Sequence, residues 1–180
     1  MTDTHWKSKI DILTEKFVER FGALTITQLN HKHDRNVWSV AQNIAHLILL
    51  NSSYFRHFDE IKKGNHVLPS GSLEQQAAES LRIIHPYTSS DRLKRAGTWT
   101  IWQPADEIFE LRILSDFTDH QSVFKNHIVE LQEFYSQPTY IKYPGETELV
   151  FRLEDCIDFL IEHENRHWIQ ANEVLQSKAN

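Results

Sequence analysis

Trp6, Ile10, Leu13, Phe17, Phe21 and Leu24 recur at three- and four-residue steps, the spacing of one helix face, and predict a first amphipathic helix. The polar run from Asn30 to Asn36 interrupts it. Ser39-Val40-Ala41-Gln42 then reads as a capping box, with Trp38 before it as a hydrophobic staple clamping the first turn. The apolar pattern of this second helix runs through Ile44, Leu47, Ile48, Tyr54, Phe58 and Ile61 and stops at Gly64. Residues 65–105 are irregular, punctuated by Pro69, Gly71, Pro86, Gly97 and Pro104, with a short helix predicted over Leu73 to Ile84. Thr98-Trp99-Thr100-Ile101-Trp102 is aromatic and β-branched and predicts extended chain laid over the helices. A third long helix is predicted to open at Asp106 and to run through Ile108, Leu111, Phe117, Phe124, Ile128 and Leu131. A loop containing Pro138, Pro144 and Gly145 leads to the last helix, Leu153 to Gln176. The expectation is an all-α fold: one domain over 1–180, a four-helix bundle with a long irregular crossover between helices 2 and 3.

Composition narrows the function classes. At 180 residues the chain can bury one substantial core, and 40% hydrophobic with 11% aromatic residues is ordinary for a soluble domain. No apolar run approaches the roughly 20 residues of a membrane span. Met1-Thr2-Asp3-Thr4-His5-Trp6 lacks the form of a signal peptide. The single Cys156 excludes an internal disulfide and fits a reducing cytosol. A net charge of −6 without clustered Lys and Arg argues against a nucleic-acid partner. The expectation is a cytoplasmic protein that binds neither nucleic acid nor membrane.

The candidate chemistry lies in histidines at apolar positions. His163 and His167 are four residues apart, one turn along one face, about 6 Å in axial rise. Cys156, Leu160, Ala171 and Val174 share that face, so both imidazoles should point inward, well placed for a divalent metal. His46 is the best-placed third ligand, an unusual residue in an apolar stretch, although alone it would read as a hydrogen-bonded core histidine. His120 and His127, seven apart beside Phe117 and Phe124, are the rival ligands or supporting groups, or partly buried structural histidines.

His163-Glu164-Asn165-Arg166-His167 also satisfies the zinc-peptidase pattern H-E-x-x-H. Only 13 residues follow His167, and Gln170 and Glu173 stand where an extended peptidase motif needs Gly and His, so a peptidase is not expected. Glu164 is a candidate catalytic base beside the metal; a solvent-facing or interface role is the alternative. Asn43 and His57 share the His46 face and are pocket-lining candidates, with buried polar pairing as the other explanation. Trp99 and Trp102 could roof the pocket, Arg166 and Gln170 support or pack around it, His31 and His33 sit in a solvated loop, and Cys156 is a small core residue.

Trp38-Ser39-Val40-Ala41-Gln42-Asn43-Ile44-Ala45-His46-Leu47 and, on the last predicted helix, His163-x-x-Arg166-His167-x-x-Gln170 together resemble the DinB/YfiT-like family. That family carries W-S-x-x-[EQ]-x-x-x-H-L on its second helix and H-x-x-x-H, often H-x-x-R-H-x-x-Q, on its last. The resemblance implies an up-down-down-up four-helix bundle and a three-histidine metal site, here His46, His163 and His167. Three neutral imidazoles would leave a divalent ion its full charge and an open position, and imidazole suits zinc and nickel alike. Characterised members of the wider family include thiol transferases and isomerases that use low-molecular-weight thiols such as bacillithiol or mycothiol. The implied activity is that of a metal-dependent hydrolase or thiol S-transferase acting on a small-molecule substrate. The other class is a non-catalytic metal-binding or stress-response protein. A homodimer through exposed helix faces is a further expectation.

Overall fold

A computed structural model describes residues 3–91, 97–145 and 148–177. Met1, Thr2 and residues 92–96 of the irregular middle, all read above, lie outside them. The described chain is mostly helical. Six α-helices, α1 Asp3–Phe21, α2 Ile26–Leu29, α3 Val40–Lys62, α4 Leu73–Thr88, α5 Ile113–Glu130 and α6 Leu153–Gln176, are joined by short 3-10 turns and one two-stranded sheet. No helix among the described residues is long and apolar enough to cross a membrane. The long helices α1 and α3 each pack against both α5 and α6.

Local signals explain most boundaries. Ser39 accepts from the Gln42 amide at 3.1 Å while the Gln42 side chain accepts from the Ser39 amide at 3.2 Å, the predicted capping box. At the other end of α3, Gly64 takes φ 67°, a conformation that a side chain would strain. Leu24 does not extend α1. The chain turns at Gly22 and a second capping box, Thr25 with Gln28, starts the short α2. The crossover helix α4 continues past the predicted end at Ile84 to Thr88, because Pro86 in the last turn removes only one ladder donor.

Three further expectations about the elements need correction. The third long helix starts at Ile113, not Asp106, and Ile108 (74%) and Leu111 (49%) are solvent-exposed. The backbone before it has other partners. Asn30 accepts from the Phe109 amide and donates to the Phe109 carbonyl, both at 2.8 Å, and Gln42 donates to the Ala105 carbonyl at 3.0 Å. Residues 100–102, expected as extended chain, form a 3-10 turn that drives the Trp102 indole into the core, where Nε1 donates to Ser53 Oγ at 3.0 Å. The loop before α6 contains a hairpin, β1 Tyr140–Lys142 antiparallel to β2 Val150–Arg152, with Ile141 opposite Phe151. Three-residue strands are too short to show an alternating pattern against flanking Pro and Gly. The hairpin anchors α4, whose Ser80 Oγ accepts from the Val150 amide at 3.1 Å.

The buried apolar residues form two clusters. One holds Trp6, Ile10, Tyr54, Phe58, Phe124, Ile128, Cys156 and Leu160 among others, and the second is built around Phe17, Phe21, Ile44, Leu47, Phe117 and Ala171. On α3, α5 and α6 buried polar residues gather near the boundary of the two clusters, among them His46 and Asn51, Gln121, then His163, Glu164 and His167. A polar layer therefore crosses the core midway along the helices.

Candidate metal centre

His46 comes from α3, and His163 and His167 from consecutive turns of α6. The structure brings all three together: each offers one ring nitrogen, and these atoms lie within 4.8 Å of one another. His163 Nε2 is central, 3.2 Å from His46 Nε2 and 2.9 Å from His167 Nε2. His46 Nδ1–H donates to the Trp102 carbonyl at 2.8 Å, which turns the Nε2 lone pair toward the centre. His167 Nδ1–H donates to Asn43 Oδ1 at 2.8 Å, and Asn43 is itself oriented by donating from Nδ2 to the Ser39 carbonyl at 2.9 Å. The N-cap of α3 thus orients a ligand candidate on α6. Trp38 is not a staple: its indole packs on His46 (centroids 4.8 Å) and stacks on His167 (5.9 Å).

The donor set fits a divalent ion. Tetrahedral nitrogen ligands about 2.05 Å from zinc lie about 3.3 Å from each other, close to the two Nε2 contacts. The buried His163 Nδ1 has no hydrogen-bond partner, so nothing nearby compensates burial of the ring except what its Nε2 meets. Burial holds the His46 pKa down to about 4 against the opposing Trp102 hydrogen bond. It also holds His163 well below the usual histidine range, with His46 and Arg166 adding to the effect. Both are therefore neutral near pH 7, the form that binds metal.

The histidines lie at the floor of a cavity of about 770 Å³. Its lining mixes polar side chains, among them Asn43, Arg166, Gln170 and Glu173, with apolar and aromatic ones, among them Ile84, Tyr87, Trp99 and Trp102. Trp99 and Trp102 line it as expected, and His33 reaches its rim while remaining exposed, hydrogen-bonded to Ser177 Oγ at 3.0 Å. Arg166 is buried and donates to the Ser89 carbonyl at 2.9 Å, tying α6 to the end of α4. Phe159, one turn before His163, and Tyr143 of the hairpin line the cavity and were missed in the sequence. Phe159 shares the His163 face and was findable; Tyr143 depends on the hairpin.

Other candidates fall elsewhere. Glu164 is fully buried outside the cavity lining, its Oε1 accepting from Asn51 Nδ2 at 2.7 Å and Gln121 Nε2 at 2.8 Å. Burial pushes its pKa up to about 7 against these two hydrogen bonds. Asn51 and Gln121 were also missed, although polar residues on apolar helix faces are the signal that exposed the histidines. His57 pairs with Glu60 at 3.4 Å. Cys156 is buried, and burial raises its thiol pKa, which disfavours a thiolate. His120 and His127 pack on Phe55 at 5.0 and 4.6 Å and do not join the three-histidine group.

His120 carries a pH prediction. Both its ring nitrogens are buried without partners, and its pKa is lowered to about 4 by burial, with His127 adding. The folded state then binds fewer protons than the unfolded state between the folded value and 6.5, so stability is whole above pH 6.5 and falls as pH drops toward 4. By pH 5 the loss from this residue is about 2 kcal/mol. In urea unfolding at about pH 7.5 and about pH 5, His120→Leu is expected to lose about 2 kcal/mol less than wild type on acidification. Equal losses would show that His120 contributes nothing to the acid sensitivity.

No curated protein and no solved structure matches the chain. A family model described as the DinB superfamily matches residues 9–171. That span takes in both histidine motifs, from Trp38 to Gln170, and with them the whole of the converging centre: the chain belongs to the DinB superfamily.

Proposed function

We propose that this protein is a metal-dependent enzyme that acts on a small molecule, as a hydrolase or thiol S-transferase, with His46, His163 and His167 holding zinc or nickel. The observation that carries the reading is the convergence of three ring nitrogens, two of them aimed by hydrogen bonds on the far side of the ring. A divalent ion held there would lower the pKa of a water or thiol presented from the cavity and offset the anion formed. The chain's own residues do the rest. The Trp102 carbonyl and Asn43 hold two imidazoles in one tautomer, Trp38 shields their outer faces, and the mixed polar and aromatic lining of the cavity favours a substrate with both polar and apolar or aromatic parts. A low-molecular-weight thiol would be the co-substrate of the transferase form.

The same reading takes the four long helices as an up-down-down-up bundle. In its support, α1 and α6 enter the Trp6 cluster with their N-terminal halves, whereas α3 and α5 enter it with their C-terminal halves. It further places the protein in the cytoplasm, away from nucleic acid and membrane, as a homodimer. A non-catalytic metal-binding or stress-response protein would be favoured by a fourth protein ligand closing the site; among the described residues the group has three.

The test is elemental mass spectrometry of the purified protein beside His46→Ala. About one equivalent of zinc or nickel in wild type, lost in the variant, is the expected result and would lead to a screen for thiol transfer and hydrolysis. Absence of metal after reconstitution would reduce the three histidines to core residues and overturn the proposal.

A further inference from the structure

The buried trio of Asn51, Gln121 and Glu164 (0%, 1% and 0% exposed) lies outside the cavity, yet each of its members comes from a different long helix. A carboxylate and two carboxamides between two apolar clusters cost stability relative to apolar residues of the same size. What such a layer supplies is specificity of alignment, because only one axial register pairs the polar groups. Glu164 Oε1 is the shared acceptor, at 2.7 Å from Asn51 Nδ2 of α3 and 2.8 Å from Gln121 Nε2 of α5.

The layer adjoins the metal centre along both helices that build it. Glu164 follows His163 directly on α6, and Asn51 lies five residues after His46 on α3, about 7.5 Å along the axis. His46 reaches the other two histidines only across the α3–α6 interface, where its Nε2 is 3.2 Å from His163 Nε2. A slip of one helical turn, about 5.4 Å, would break that approach. α5 supplies no histidine to the group.

We infer that Glu164 is a positioning residue for the histidine centre, setting the register of α3 against α6 through Asn51, with Gln121 a lesser support from α5. The inference rests on the metal-binding reading above. It predicts an asymmetry that general stabilisation would not produce: the link between the two histidine-bearing helices matters to the metal, and the link to α5 does not.

Zinc affinity is measured on the purified full chain by competition with a chromophoric chelator, with melting temperature recorded for each variant. Asn51→Ala and Glu164→Ala are expected to weaken zinc binding about tenfold or more, the usual scale for groups that orient metal ligands. Gln121→Ala should stay within about threefold, as should Glu164→Gln, whose carboxamide oxygen can still accept both hydrogen bonds. Ile128→Ala, a cavity mutation in the apolar cluster away from the layer, should lower the melting temperature without changing affinity. If Glu164→Ala does not fold, Asn51→Ala carries the test, since Glu164 keeps its Gln121 partner. Zinc binding by Asn51→Ala as tight as wild type would overturn the inference, as would losses that follow melting temperature across all variants, Ile128→Ala included. A wild type that binds no zinc would instead overturn the metal-centre reading, and this inference with it.

Discussion

His163→Ala is expected to abolish stoichiometric metal binding while leaving the helical content of the protein intact. His163 Nε2 lies between the other two ring nitrogens, so its removal leaves His46 and His167 without the donor that both approach. Two imidazoles from different helices make a far weaker site than three, and the loss should exceed 100-fold, about 3 kcal/mol or more of binding free energy. The cost to the metal-free fold is smaller, about 1–2 kcal/mol, because the lost packing against Phe159 is offset by deleting a buried ring nitrogen that has no partner. Elemental analysis and far-ultraviolet circular dichroism on the same sample separate the two effects. Metal retained at wild-type stoichiometry would sink the three-histidine assignment, and lost helicity would make His163 a folding residue first.

The opposite separation is expected at Phe117. This α5 side chain is fully buried, and its ring sits 4.7 Å from that of Phe17 in the cluster shared by α1, α3 and α5. Phe117→Ala removes a large apolar surface and leaves a cavity that rigid helices on three sides cannot close, at a cost of about 3–5 kcal/mol. For a chain of this size that lowers the melting temperature by about 6–20 °C. Because Phe117 is neither a ligand candidate nor a partner in the hydrogen bonds that orient them, the fraction that remains folded should keep its metal. Chemical denaturation gives the first quantity and elemental analysis the second. A loss below about 1 kcal/mol would mean that the two halves of the core are less tightly packed than the geometry indicates.

Much of this was legible along the chain. The apolar periodicity located α1, α3 and α6, and the Ser39–Gln42 capping box marked the start of α3 because its partners are only three residues apart. The histidines stood out because a polar ring at an apolar position breaks the helical pattern, and Asn51 and Gln121 broke it in the same way without being singled out. The start of α5 was not legible. Asp106, Ile108 and Leu111 continue the helical spacing, but Asn30 and Gln42, far away in sequence, take the backbone groups that a helix would have used. The Thr98–Trp102 run was read from β propensity, whereas burial of the Trp102 indole beside Ser53 decided its turn.

By itself, then, the sequence determined where most of the long helices lie, most of the faces they bury and that histidines interrupt those apolar faces, since all of these depend on neighbours within one or two turns. Tertiary structure alone decided that His46 meets His163 and His167, that the Trp102 carbonyl and Asn43 aim the rings, and that Glu164 joins Asn51 and Gln121 between two apolar clusters. Those contacts link residues from 56 to 124 positions apart, apart from the 43 between Gln121 and Glu164. Helix periodicity specifies the face of a residue but not the axial register of one helix against another; that register is set when side chains from several helices pack and pair at once.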